Sequence, residues 1–128
     1  MSQEPDTHRP ALRRFRDPAY VPLCANLAEV RAGIDALDRQ IVALLAERGR
    51  YVKDAARFKR DAFQVSAPQR QQAVIDKVVA LAREQGAYPE VVEAAYRALI
   101  AGFIAREQRD HAEMEPVEPA EPVQGGAP

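Results

Sequence analysis

An all-helical fold with three helices per chain and a long first helix is predicted by three observations. Apolar residues recur at 3-4 spacing through Leu27, Val30, Ile34, Leu37, Ile41, Leu44, Arg48, Tyr51, Ala55 and Phe58, so nine of these ten seam positions are apolar or aromatic. Two further stretches, opening near Ser66 and at Pro89, carry helical apolar stripes between recognisable start and stop signals. No segment shows the two-residue alternation of a strand.

Residues 1–25 are read as an irregular arm, because His8, Arg9, Arg13, Arg14 and Arg16 stand among Pro10, Pro18 and Pro22 with little apolar periodicity. The first helix is expected from Asn26, a suitable N-cap, to Lys59, a length of roughly 50 Å. The second opens with Ser66, Ala67, Pro68 and Gln69, where Ser66 and Gln69 have capping-box spacing and Pro68 suits a first turn. It carries Val74, Ile75, Val78 and Leu81 and stops at Gly86. The third starts at Pro89 and runs through Val92, Tyr96, Leu99, Ile100 and Phe103 to a carboxylate at Glu107. The helical domain thus covers residues 26–110. Residues 111–128, with Glu and Pro alternating before Gly125 and Gly126, form a tail too polar to order itself. A helix of this length cannot be covered by two shorter ones, so a second copy of the chain is the expected cover and the fold class is an all-α homodimer.

Composition narrows the function. The 128 residues carry a formal net charge of −1 with a single cysteine, Cys24, and two histidines. A disulfide framework is excluded, no zinc-ligand pattern is present, and nothing draws the whole chain to nucleic acid. The arginines of the arm are read as solvated. No apolar run is long enough to span a bilayer and the N-terminus lacks the apolar stretch of a signal peptide, which predicts a cytoplasmic chain without membrane contact.

Arg48 is the exception on the seam. A permanent charge there needs an anionic partner, unless it turns back to water or pairs within its own chain. Lys59 lies eleven residues on, about 20° round the axis and roughly 16 Å further along, so both cations face one groove. Arg31 lies 17 residues before Arg48, about 25 Å away and about 100° round, too far to grip one small molecule from the same helix. An antiparallel partner crossing near residue 42 would bring its Arg31 level with residue 53, between Arg48 and Lys59.

The runs Leu27-Ala28-Glu29-Val30-Arg31, Ile34-Asp35-Ala36-Leu37-Asp38, Leu44-Leu45-Ala46-Glu47-Arg48 and Tyr51-Val52-Lys53-Asp54-Ala55-Ala56-Arg57-Phe58-Lys59 resemble the all-helical chorismate mutases. The last run is also similar to the isochorismate pyruvate lyases, which share that fold. The resemblance implies an intertwined dimer whose two active sites are each built from both chains, with no cofactor and no metal. It implies that the partner's Arg31 and Arg48 bind the two carboxylates of a small dicarboxylate substrate, and that Lys59 meets the ether oxygen and a carboxylate. Gln71 falls where the mutases hold the ring hydroxyl. Glu107 falls where bacterial mutases and the lyases place a glutamine as second donor to the ether oxygen, with Gln108 one residue later. An ionised carboxylate cannot donate, so Glu107 would fill that role only when protonated.

The implied reactions need few residue types. Chorismate rearranges to prephenate in one pericyclic step, and isochorismate can lose pyruvate by a similarly concerted reorganisation, so positioning and charge suffice without a nucleophile. The leading expectation is a chorismate mutase, with isochorismate pyruvate lyase as the alternative. A rival from another class is a non-catalytic helical dimer that binds a metabolite or a partner. His111 is set aside as a helix cap or surface residue, and Tyr51, Tyr88, Tyr96, Phe58 and Phe103 are expected in the core.

Overall fold

The computed structural model describes residues 12–117, so the first part of the arm and the tail beyond Val117 lie outside the described residues. The described chain is α1 (Leu27–Ala55), a 3-10 turn (Ala56–Phe58), α2 (Ala62–Ser66), α3 (Pro68–Gln85) and α4 (Pro89–Ala112). Strands are absent among the described residues. Described residues 12–26 form no helix. None of the helices is long and apolar enough to cross a membrane.

The chain divides between Glu47 and Arg48 into two units. In the first, Asn26 caps α1 by accepting from the Glu29 amide at 2.9 Å, and the Glu29 carboxylate accepts from the Ala25 amide at 2.9 Å. The first bond satisfies an amide that helix geometry leaves open, and the second ties the preceding residue back to the first turn. The seam residues Leu27, Val30, Ile34, Leu37, Ile41 and Leu44 are all exposed, from 39% at Val30 to 63% at Leu44.

In the second unit α4 packs along α3 and also meets α2 and the 3-10 turn. Its core is Ala56, Val65, Ile75, Val78, Ala82 and Ile100, with Glu107 buried beside them. The stripes predicted for α3 and α4 supply Ile75, Val78 and Ile100 to that core. Gly86 ends α3 as expected, in the left-handed conformation at φ 72°, and Ala87 donates to the Ala82 carbonyl at 2.8 Å. Pro89 opens α4 in the first turn, where its missing N–H costs nothing.

Three expectations need correction. The first helix does not reach Lys59: α1 ends at Ala55, tightens into the 3-10 turn, and leaves Lys59 extended at φ −104° and ψ 134°. Ser66 does not cap the second long helix. It ends α2, a short helix capped by Asp61, whose side chain accepts from the Gln64 amide at 2.9 Å. The cap of α3 is Ala67, held left-handed at φ 42° with no side-chain bond, a conformation that costs a residue other than glycine about 1 kcal/mol. Finally, Tyr51, Phe58 and Tyr88 are not core residues, being 74%, 73% and 73% exposed; only Tyr96 and Phe103 of the five aromatics are half-buried.

Candidate active site

The second unit holds a cavity of about 320 Å³ walled by the last turns of α1, the Lys59 connection, α2, α3 and α4. Its size suits a small molecule. Arg48, Lys59, Gln71 and Glu107 all line it, so four of the five residues singled out from the sequence meet in one place. Arg31 is exposed on α1 and is not among the lining residues.

Arg48 has no carboxylate partner among the described residues. Its guanidinium instead lies 5.0 Å from the centroid of the Phe103 ring, a cation–π contact worth about 1 kcal/mol. Gly49 permits the close approach of that ring: a Cβ there would stand 3.1 Å from Phe103 Cε1. Arg48 is therefore held in place by an aromatic face while its hydrogen-bonding fork is left for an anion.

Lys59 Nζ donates to Glu107 Oε2 at 2.9 Å. The Glu107 side chain is 5% exposed and that of Lys59 25% exposed, so this is a largely desolvated pair. Glu107 arrives there because it continues the inward stripe of α4 one turn after Phe103. A solvated position on a frayed last turn, the ordinary alternative for a residue so near a helix end, is not where it stands. Gln108 points elsewhere: its Nε2 donates to the Ala62 carbonyl at 2.9 Å and ties α4 to the start of α2.

Gln71 Nε2 donates to the Ser66 carbonyl at 2.6 Å and approaches Ser66 Oγ at 3.4 Å, bracing the tight junction between α2 and α3. Its amide nitrogen is thereby engaged, and its carbonyl oxygen is the group left to accept from a ligand hydroxyl. Arg70 also lines the cavity and was not among the residues picked from the sequence. With Arg70 included, the walls carry three cations and one carboxylate, a field that favours a small dianion.

Among known proteins, residues 30–108 match the family model described as Chorismate mutase type II. An isochorismate pyruvate lyase of Pseudomonas aeruginosa is 36% identical over 84 residues, which are 66% of this chain and 83% of that protein. A chorismate mutase of Methanocaldococcus jannaschii is 35% identical over 60 residues, 46% of this chain and 61% of that protein. The match spans most of α1 and nearly all of α4, so it takes in every wall of the cavity. By this match and by the helices and cavity it covers, the chain belongs to the chorismate mutase type II family.

Proposed function

We propose that the protein is a chorismate mutase, acting as a cytoplasmic homodimer that converts chorismate to prephenate without covalent catalysis. The observation that carries this reading is the cavity in which Arg48, free of any carboxylate among the described residues, stands together with a lysine anchored by Glu107. Arg48 takes one carboxylate of the substrate through two parallel hydrogen bonds. The exposed Leu27–Leu44 seam is covered by the second copy, whose Arg31 takes the other carboxylate. Lys59 donates to the ether oxygen as the C–O bond stretches and negative charge gathers there, a contribution of about 3 kcal/mol for one well-placed donor. The Gln71 carbonyl accepts from the ring hydroxyl. The substrate is thus held in the compact shape in which the new C–C bond forms as the C–O bond breaks, and no proton has to move.

Glu107 keeps the Lys59 ammonium in the cavity before substrate arrives, but as a carboxylate it also competes with the substrate for it. Glu107→Gln is therefore expected to raise kcat/KM at neutral pH, by about threefold to tenfold, because the amide retains an acceptor for Lys59 and adds an N–H donor toward the ether oxygen. The same change should lower folding stability by about 1 kcal/mol, since the Lys59 ammonium keeps an acceptor but loses its counter-charge. Steady-state kinetics with a denaturation curve checks both signs, and a fall in kcat/KM would remove Glu107 from the role assigned to it.

The likeness to the Pseudomonas lyase favours a second reading, elimination of pyruvate from isochorismate in the same pocket with the same cations. Supplying purified protein with each substrate separately and identifying the products by chromatography decides between them. Prephenate from chorismate is the expected result; salicylate and pyruvate from isochorismate would assign the lyase. Consumption of neither would leave a non-catalytic helical dimer.

A further inference from the structure

The last turns of α4 grip the Lys59 segment at both ends of one residue. Glu107 Oε2 accepts from Lys59 Nζ at 2.9 Å, and His111, one turn later, places Nε2 2.7 Å from the Lys59 carbonyl oxygen. A carbonyl oxygen only accepts, so His111 carries its proton on Nε2 and donates. This contact sits at the point where the chain has left its helical path, with Lys59 extended and its amide bonded to the Ala56 carbonyl at 3.3 Å.

A lysine ammonium hangs on a flexible four-carbon stem, so its reach into a cavity depends on the direction in which Cα–Cβ leaves the backbone. Glu107 fixes the far end of that stem but can draw it from many backbone positions. Fixing the carbonyl removes rotation of the peptide plane at the near end. We infer that His111 is a positioning residue which, through the Lys59 carbonyl, aims the Lys59 ammonium at Glu107 and into the cavity. It touches no substrate. Its effect on turnover rests on the proposed function, while its effect on Lys59 does not.

The test uses three substitutions. Gln ends in an amide nitrogen at nearly the reach of Nε2, Asn stops near Nδ1, and Ala removes the donor altogether. In His111→Ala and His111→Asn the nitrogen NMR signal of the Lys59 ammonium should shift and broaden, and in His111→Gln it should stay close to that of the unmodified protein. Turnover should fall by about tenfold to a hundredfold in the first two, in kcat rather than KM, because a misplacement of about 1 Å is enough for such a loss. In a Lys59→Ala background, His111→Ala should bring no further loss. An unchanged Lys59 signal in His111→Ala, or equal damage from Gln and Ala, would overturn the inference. If the unmodified protein consumes neither substrate while the Lys59 signal responds as stated, the proposed function fails and the positioning role stands.

Discussion

Lys59→Ala is expected to lower kcat/KM by about a thousandfold or more, equivalent to about 4 kcal/mol of lost transition-state stabilisation. Most of this loss should fall in kcat. In the proposed reaction the ether oxygen gains its negative charge only as the C–O bond stretches, so an ammonium at that point binds the transition state better than the ground state. A smaller part should appear in KM, because in the same proposal the ammonium also meets a carboxylate. The substitution has a second consequence that must be separated from the first. Glu107, with its side chain 5% exposed, would be left without its partner at 2.9 Å. An orphaned buried carboxylate is destabilising, here by about 2 kcal/mol after allowance for the partial exposure of Lys59. The double variant Lys59→Ala, Glu107→Gln removes the orphaned carboxylate and should recover much of the stability with little of the activity. Kinetics and urea midpoints on the three proteins distinguish the outcomes. Retention of activity within tenfold in Lys59→Ala would sink the assignment of the ether-oxygen donor.

The residues of this site are legible in the sequence to different degrees, for physical reasons. Arg48 stands out because a guanidinium breaks an otherwise apolar seam, and the seam itself follows from the 3-4 spacing alone. Glu107 is reached by continuing the α4 stripe past Phe103, and the structure buries it. The end of α1 is not legible. Ala55, Ala56, Arg57, Phe58 and Lys59 include no Gly or Pro, so local propensity gives no reason to stop. What competes with the helix is tertiary: Glu107 holds the ammonium of Lys59 and His111 holds its carbonyl, both from α4. The short helix α2, by contrast, does carry a local signal. Asp61-Ala62-Phe63-Gln64 has capping spacing, with Asp61 accepting from the Gln64 amide at 2.9 Å and the Gln64 side-chain carbonyl accepting from the Arg60 amide at 2.6 Å. That box outweighs the similar spacing of Ser66 and Gln69, which marks the end of α2 rather than the cap of α3. The aromatic residues mislead because helical spacing tells that a face is apolar but not that this chain covers it; Tyr51 and Phe58 belong to the same sequence seam as the exposed Leu27 to Leu44 row.

That uncovered row carries the other large expected effect, which concerns Arg31. Six large aliphatic side chains from Leu27 to Leu44 are exposed on one stripe of α1, the pattern that a helix presents to a packing partner. In the homodimer proposed above, the partner's antiparallel α1 meets that stripe and carries its Arg31 toward the site of the first copy. Arg31→Ala alone should then cost about a hundredfold in kcat/KM, the loss of one bidentate grip on a carboxylate. Mixing is more decisive than either single change. When Arg31→Ala and Lys59→Ala chains are unfolded together and refolded at equal amounts, about half of the dimers contain one chain of each kind. In such a dimer one site combines both defects and the other neither, because each site draws Arg31 from one chain and Lys59 from its partner. The mixture should therefore recover about one quarter of the unmodified activity from two nearly inactive proteins. If Arg31 served the site of its own chain, both sites of every mixed dimer would carry one defect, and no activity would return. Recovery therefore measures whether the active site is shared between the two chains, independently of how tightly either variant binds substrate.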